Sequence, residues 1–366
     1  MTLRIGFLGY GFMGTAHANA LARLPMFFPD APGVERAVLV GRDEERAADA
    51  ADRLGFGSAI TDWREALDDV DVLYNLGPNH THAEPSIAAL RDGVHVLCEK
   101  PLATDAESAD RMADAAQDSD AVAGVGFNYR YVPALRYAKA LIEDDELGEV
   151  RSFEGRYLQD WLLDPAEPWS WRTDAEKAGG GALGDLGSHV VDLGRFLVGE
   201  VSGVAGSRRT FVEERPDPAG GGTRRVTNDD TTTAQLTFAN GAVGTVEVSR
   251  ATPGHKNDLS IAVHGATGSL AFSLERLNEL RVHRAGDRGY ERVLVTEESD
   301  PYIEHWWPPG HVVGWEHAFV HQSYEFLSTV ASEGPYRPNF RDGAAVQRAL
   351  SGIAESDDTG EVADVS

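Results

Sequence analysis

Cysteine is almost missing from this chain: Cys98 stands alone among 366 residues. A single thiol excludes an intrachain disulfide and any multi-cysteine metal centre. Lysine is nearly as scarce, with Lys100, Lys139, Lys177 and Lys256 the only four among 33 basic residues. Those 33 face 59 acidic residues, for a net charge of −26. A field of that sign repels nucleic acid and anionic membranes, so neither is an expected partner. No stretch of about 18 uninterrupted apolar residues occurs, which excludes a membrane-spanning helix. The opening, MTLRIGFLGYGFMG, enters a strand without the basic and apolar segments of a secretion signal, and a cytoplasmic location is expected.

The acidic residues are spread through patterned segments (43–45, 105–120, 144–146) rather than gathered in a tail, so disorder is not implied. An acidic, lysine-poor surface suits a halophilic setting, where strong salt screens self-repulsion.

What is present is patterned for two domains, as the length allows. Residues 3–8 form an apolar, β-favouring run that ends in Gly9-Tyr10-Gly11-Phe12-Met13-Gly14 and passes into a helical pattern. Strand, G-x-G-x-x-G and helix in that order make a dinucleotide-binding turn. Glycine lets the backbone approach a pyrophosphate, and the helix N-terminus offers it unpaired amides. Gly9, Gly11, Phe12, Met13 and Gly14 are therefore cofactor-binding candidates. Residues 35–40 read as the second strand, whose tip reads the ribose. Gly41 leaves room there and Arg42 brings a cation suited to the extra phosphate of NADP, while Asp43 keeps NAD open; NADP is slightly favoured. Residues 70–76 form a third strand, and the turn after it supplies Pro78, Asn79 and His82 near the nicotinamide end. Capping by Asn79 and packing by His82 are the competing structural readings. His17, on the first helix, reads as a packed or surface histidine. A fourth strand, residues 94–98, delivers Glu99, Lys100 and Pro101 at its carboxyl end, the edge where open α/β sheets hold ligands.

A strand at 122–127 finishes a nucleotide domain over residues 1–128. From 129 to 366 the period changes. After an amphipathic helix at 133–143, alternating segments appear at 150–157, 207–212, 231–238, 259–264, 268–274, 279–284 and 292–296, with the Asn240-Gly241 hairpin signal among them. That pattern predicts a mixed or antiparallel sheet in a second domain, closed by helices at 315–331 and 342–355.

Within this half, Gly179-Gly180-Gly181-Ala182-Leu183-Gly184-Asp185-Leu186-Gly187-Ser188-His189 opens a helix. Asp185 and His189, four apart, share a helix face. A carboxylate so placed orients and charge-tunes an imidazole that titrates near neutrality. Asp185, His189 and Asp192 lack a further ligand pair, so no metal is expected. Five of seven tryptophans, Trp161, Trp169, Trp171, Trp306 and Trp307, fall in two loop-like segments. Exposed rings suit the apolar faces of sugars and cyclic polyols, with polar neighbours such as Arg130, Gln159, Asp160, Arg172, His305 and His311 for their hydroxyls. Arg130, Trp161, Arg172, Trp306 and His311 join Lys100, Asp185 and His189 as substrate-binding candidates.

Together these pieces resemble the Gfo/Idh/MocA family of NAD(P)-dependent oxidoreductases, the glucose-fructose oxidoreductase, inositol dehydrogenase and rhizopine-catabolism group. Gly9 to Gly14, Pro78-Asn79-His80-Thr81-His82, Glu99-Lys100-Pro101 and the 179–192 segment run in the family's order. Gly41-Arg42 departs from the acidic residue common in NAD-preferring members. Arg156-Tyr157-Leu158-Gln159-Asp160-Trp161 and Trp306-Trp307-Pro308-Pro309-Gly310-His311 resemble a subgroup that includes levoglucosan dehydrogenase. The resemblance implies an α/β N-terminal Rossmann domain plus an α+β C-terminal domain with a large, mostly antiparallel open sheet, whose exposed face makes homodimer or homotetramer contacts. It further implies that Lys100, Asp185 and His189 are catalytic, with His189 as general base and Lys100 bonded to the reacting hydroxyl. Chemistry agrees, since losing a hydride from an alcohol requires the hydroxyl proton to leave and the nicotinamide does the redox step. Lysine as the base stays open if burial lowers its pKa. Glu99 would position Lys100, and the Lys100–Pro101 peptide is a candidate cis bond. The expected activity is hydride transfer between a secondary hydroxyl of a sugar or cyclic polyol and NADP or NAD. The alternatives are a non-catalytic NAD(P)-sensing regulator on the same fold, against which the joint presence of Lys100, Asp185 and His189 speaks, or an oxidoreductase of a non-sugar substrate.

Overall fold

The computed structural model describes residues 1–366 and divides them into two compact units, Met1–Asn128 with Gly314–Ala344, and Tyr129–Val313 with Ala345–Ser366.

The first unit alternates strands and helices: β1 (Thr2–Leu8), α1 (Phe12–Phe27), β2 (Gly33–Val40), α2 (Glu44–Leu54), β3 (Ser58–Ile60), α3 (Trp63–Ala66), β4 (Val72–Asn75), α4 (Ala83–Arg91), β5 (His95–Cys98), α5 (Ala106–Gln117) and β6 (Ala123–Val125). The strands form one sheet in the order β3-β2-β1-β4-β5-β6, parallel throughout. Order reverses beside β1, which puts the carboxyl ends of β1 and β4 at the switch point where such sheets bind ligands. Leu3, Ile5 and Phe7 on β1 are wholly buried, as are Val72, Leu73 and Tyr74 on β4; β1 opens as an alternation with Thr2 and Arg4 exposed, whereas β4 is covered on both faces and is an apolar run. Local chemistry sets the helix ends. Asp43 accepts from the Arg46 amide at the start of α2, and Gly55, at φ +74°, ends it. The edge strand β3 has only three residues, too short for its alternation to announce it.

Helix His317–Ser332 belongs to this unit, not to the second domain that the division at 128 assigned it to. It is answered by residues roughly 200 to 300 positions earlier: the Tyr324 ring lies 4.4 Å from Phe28, and Gln322 Nε2 donates to the Val125 carbonyl at 2.9 Å. No local pattern records such a partnership. The chain therefore enters the first unit twice.

In the second unit come α6 (Pro133–Glu143), β7 (Val150–Leu158), α7 (Ala175–Ala178), α8 (Ser188–Leu197), β8 (Val201–Arg209), a small hairpin of β9 (Glu214–Pro216) and β10 (Thr223–Arg225), then β11 (Thr231–Phe238), β12 (Val243–Ser249), β13 (Asp258–Gly265), β14 (Ser269–Ser273), β15 (Glu279–His283), β16 (Glu291–Leu294) and β17 (Ala363–Asp364). Nine of these strands make one sheet, β16-β15-β14-β13-β7-β12-β11-β8-β17, in which only β7 and β12 run parallel. Along β7, Phe153 and Tyr157 are buried while Glu154 and Arg156 are exposed; period two places the first pair toward the helices and the second on the open face. A Cβ on Gly155 would strike Val190 of α8, so glycine there lets helix and sheet approach. Two readings change. The strand expected at 207–212 is β8, Val201–Arg209, because Gly203 and Gly206 dilute its β signal. The β9–β10 hairpin was not foreseen; the proline and triple glycine between its strands resemble a plain loop.

Candidate active site

In the first unit, the glycine turn is shaped by close contact. Gly9 has φ +105°, and a Cβ on it would press on the Leu76 carbonyl oxygen at 2.8 Å; a Cβ on Gly14 would meet Gly9 O at 2.9 Å. Gly11, by contrast, has no atom within 4 Å of a Cβ. It caps α1 with no side-chain bond, and the first turn of α1 carries no acidic residue. Open amides, open space and no competing carboxylate suit a pyrophosphate, so the residues present fit a nicotinamide dinucleotide. Phe12, 68% exposed, stacks on Trp315 at 5.5 Å.

At the tip of β2, the Tyr10 ring covers Gly41. Asp43 Oδ1 is engaged by the Arg46 amide at 3.0 Å, the helix-opening arrangement. After β4, Asn75 is fully buried and its Nδ2 donates to the carbonyls of Thr81 and His82 and to Ser86 Oγ. It thereby pins the turn carrying Pro78 and Asn79, a role the sequence did not flag. His82 is a correction. It is fully buried, with Nδ1 3.0 Å from the Pro101 carbonyl and Nε2 3.0 Å from that of Gly77. Burial holds its pKa below the ordinary imidazole value despite those carbonyls and Glu99. It is a strut between two turns, and its ring is enclosed rather than offered to a cofactor.

Glu99 and Lys100 follow β5, and the Lys100–Pro101 peptide is cis. Glu99 Oε2 accepts from the Lys100 amide at 3.1 Å, and Oε1 lies 3.0 Å from His17 Nε2. His17 is packed, fully buried between the rings of Tyr74 and Phe319. The helix that begins at the glycine turn is thus tied by a buried imidazole–carboxylate contact to the backbone of Lys100. Cys98 is buried, and burial pushes its thiol far above the ordinary range.

In the second unit, Asp185 lies in a π-helical turn, Leu183–Gly187, which runs into α8 bearing His189. Such wide turns recur at functional sites. Asp229 secures its start: one carboxylate oxygen accepts from the Gly181 amide at 2.7 Å and the other from Leu183 at 2.8 Å. A Cβ on Gly181 would fall on the Asp229 carbonyl oxygen, so only glycine permits this approach. Arg250, wholly buried, donates to the carbonyls of Asp229 and Arg172. Burial lowers its pKa, opposed by Asp229, Asp185 and Asp230, which places a cation within the field of Asp185.

His189 is 6% exposed, with the Tyr129 ring 4.5 Å away and that of Tyr157 at 6.0 Å. Burial drives the Tyr157 phenol well above its usual value, and Tyr129 and Asp185 add to the effect; it stays a neutral donor across the working range. Tyr129, Asp229 and Arg250 were missed in sequence because nothing in their local spacing marks them, and Tyr157 stood in the 156–161 segment without a role.

Two further placements, of Arg130 and Trp306, correct expectations. Arg130 is not presented to a ligand: it forms a buried bidentate pair with Asp192, at 2.9 and 2.6 Å, and its guanidinium lies over Phe196. That pair also occupies Asp192, the third of the metal candidates, and no group of three metal-binding side chains exists. Trp306 is packed, 8% exposed, while its neighbour Trp307 is 51% exposed. His311 sits in its own turn, Nδ1 2.7 Å from the Pro308 carbonyl. Arg172 stacks on Trp171, and Trp161 keeps 39% of its surface exposed.

Comparison with known proteins decides the family. Residues 3–127 match the oxidoreductase family model with the NAD-binding Rossmann fold, and residues 135–271 match the GFO/IDH/MocA C-terminal domain. The chain belongs to the Gfo/Idh/MocA family of oxidoreductases. Levoglucosan dehydrogenase of Pseudarthrobacter phenanthrenivorans is 42% identical over 97% of this chain and 96% of that protein. Myo-inositol 2-dehydrogenase of Thermotoga maritima is 29% identical over 82% of this chain and 85% of its own. A solved levoglucosan dehydrogenase in complex with NADH and levoglucosan superposes with a TM-score of 0.96 at 41% identity, covering both chains completely. As a Gfo/Idh/MocA oxidoreductase the chain uses a nicotinamide cofactor. No helix is long and apolar enough to cross a membrane.

Proposed function

We propose that this oxidoreductase oxidises a secondary hydroxyl of a sugar or cyclic polyol, on the model of its relatives acting on levoglucosan and inositol. The observation that carries the reading is His189 held against two tyrosine rings beside Asp185, an acid–base centre with aromatic surroundings. When bound, the nicotinamide supplies the hydride acceptor. His189 takes the hydroxyl proton, Asp185 orients and supports the imidazolium that forms, and Lys100 bonds the reacting oxygen and stabilises alkoxide charge as it develops. Trp161 and Arg172 contact the sugar.

Arg42, beside a carboxylate already used to cap α2, lets the enzyme accept NADP as well as NAD. It works in the cytoplasm, in strong salt that screens its charge of −26. It assembles as a homodimer or homotetramer through the open face of the sheet, where a shallow depression of about 1340 Å³ is lined by four arginines (Arg156, Arg276, Arg281, Arg292) and four carboxylates (Glu154, Glu247, Asp258, Glu279). Charge balance there, on so acidic a chain, supports docking of a second copy; Ala262→Arg should lower the mass in light scattering.

The decisive experiment is a screen of sugars and inositols with both cofactors in strong salt, followed by His189→Ala and Lys100→Met. Each variant should lose roughly 10²–10⁴-fold in kcat with cofactor affinity unchanged. Wild-type hydride-transfer rates in both variants would end this assignment.

A further inference from the structure

A chain of hydrogen bonds leads away from the rings packed on His189. Tyr129 Oη and Tyr157 Oη are 2.9 Å apart. Tyr157 Oη lies 2.6 Å from Asn257 Oδ1, Gln159 Nε2 lies 2.7 Å from the same oxygen, and Trp161 Nε1 lies 2.9 Å from Gln159 Oε1. Asn257 stands about 100 residues from its partners, in the loop between β12 and β13, and no motif points to it. Its neighbour Lys256 reaches Asp160 at 2.7 Å, so the loop clips onto the segment that carries Trp161.

The polarity of this chain is determined at one end. An indole nitrogen only donates. Gln159 must therefore turn its carbonyl oxygen to Trp161 and its amide nitrogen to Asn257. Asn257 must then present its oxygen, which accepts twice. Tyr157 must donate to that oxygen and accept from Tyr129. One donor-only group at the half-exposed end thus orders every proton up to the phenol packed at a tilt on His189, and Asn257 Oδ1 is the single atom through which both arms pass.

We propose that Asn257 is a positioning residue for the reaction: its side-chain oxygen holds the tyrosine rings that place His189 and the Trp161 platform in one arrangement, so that proton acceptance and sugar binding are set from the same atom. The proposal rests on the sugar or polyol reading above. Asn257 touches neither arm's ligand chemistry directly; it acts through Tyr157 and Gln159. Losing its acceptor lets the Tyr157 hydroxyl and the Gln159 amide seek other partners, and misplacement on the scale of 1 Å costs up to about 10²-fold in rate.

The test compares two nearly isosteric variants. Asn257→Leu keeps the volume and removes the acceptor; Asn257→Asp keeps an oxygen that can accept from both partners. Asn257→Leu should lower kcat about tenfold or more and raise KM for the sugar, with NADH affinity, read by fluorescence titration, within about twofold of wild type. Asn257→Asp should stay within about threefold in kcat, because both donors keep their acceptor. Wild-type kcat and KM in Asn257→Leu would overturn the proposal, and so would equal losses in the two variants at unchanged melting temperature. Should the wild-type protein oxidise no sugar or polyol, the substrate reading is what fails, and positioning is read instead from NMR. The Trp161 indole N–H and His189 ring resonances should move in Asn257→Leu and hold in Asn257→Asp. Unmoved resonances in Asn257→Leu would sink the positioning role on their own.

Discussion

The two units build their candidate residues from different materials. In the first, main chain does most of the binding: glycines at 9 and 14 that tolerate no Cβ, uncapped amides at α1, and two carbonyls that grip His82. In the second, side chains do it: a remote aspartate capping a π turn, a buried guanidinium between strands, and an amide joining two tyrosines to a tryptophan arm. Main-chain sites need particular residues at short spacing and so leave motifs. The side-chain networks join residues from 21 to 100 positions apart, with no fixed spacing to mark the partners.

The sharpest way to separate the two is to disturb each with one substitution. Asp192→Ala removes the bidentate carboxylate from the Arg130 guanidinium in a site where neither side chain exceeds 7% exposure, and should cost about 3–5 kcal/mol in urea unfolding. Gly9→Ala forces a methyl group against the Leu76 carbonyl at φ +105° and should cost about 1–3 kcal/mol, with a matching loss of NADH affinity in a fluorescence titration. If Asp192→Ala weakened NADH binding as much as Gly9→Ala at equal folded fraction, the separation of roles would fail.

Acid gives a gentler contrast. His82, His95 and His317 all belong to the first unit, and burial holds each below the ordinary imidazole value, helped at His317 by Arg23. The folded state therefore binds fewer protons at these sites than the unfolded chain. Their stabilising contribution is complete above about pH 6.5 and is lost as pH falls through their lowered folded values. Hydrogen exchange at pH 7.5 and pH 5 should show protection falling first in residues 72–98 and later in residues 231–249. Equal loss in both would remove the histidines as the cause.

Much of the first unit was legible. The glycine turn from Gly9 to Gly14 and the strand ending at Cys98 are both local and both form; Asp43, read as a ribose contact, accepts from the Arg46 amide and opens α2. The antiparallel sheet was legible as a class, because Thr231–Phe238 alternates cleanly. Where reading failed, the deciding partner was distant. Arg130 reads as a substrate-binding cation until Asp192, 62 residues on, pairs with it. Trp306 and Trp307 are identical in sequence terms, and only packing separates the buried one from the exposed one. Asn257, between a lysine and an aspartate on a loop, gives no sign of the two bonds it receives.

The return of residues 314–344 to the first unit has a consequence for synthesis. A chain leaving the ribosome ordinarily completes its amino-terminal domain first. Here β1 to β6 emerge early, but the helix that covers Phe28 and the Val125 carbonyl appears only after eight strands of the nine-stranded sheet, all but β17, have been made. The dinucleotide half is the first to begin and among the last to close. A fragment cut after residue 128 would expose the apolar surface that this helix covers, and the two halves cannot be inherited or exchanged as simple consecutive pieces of gene.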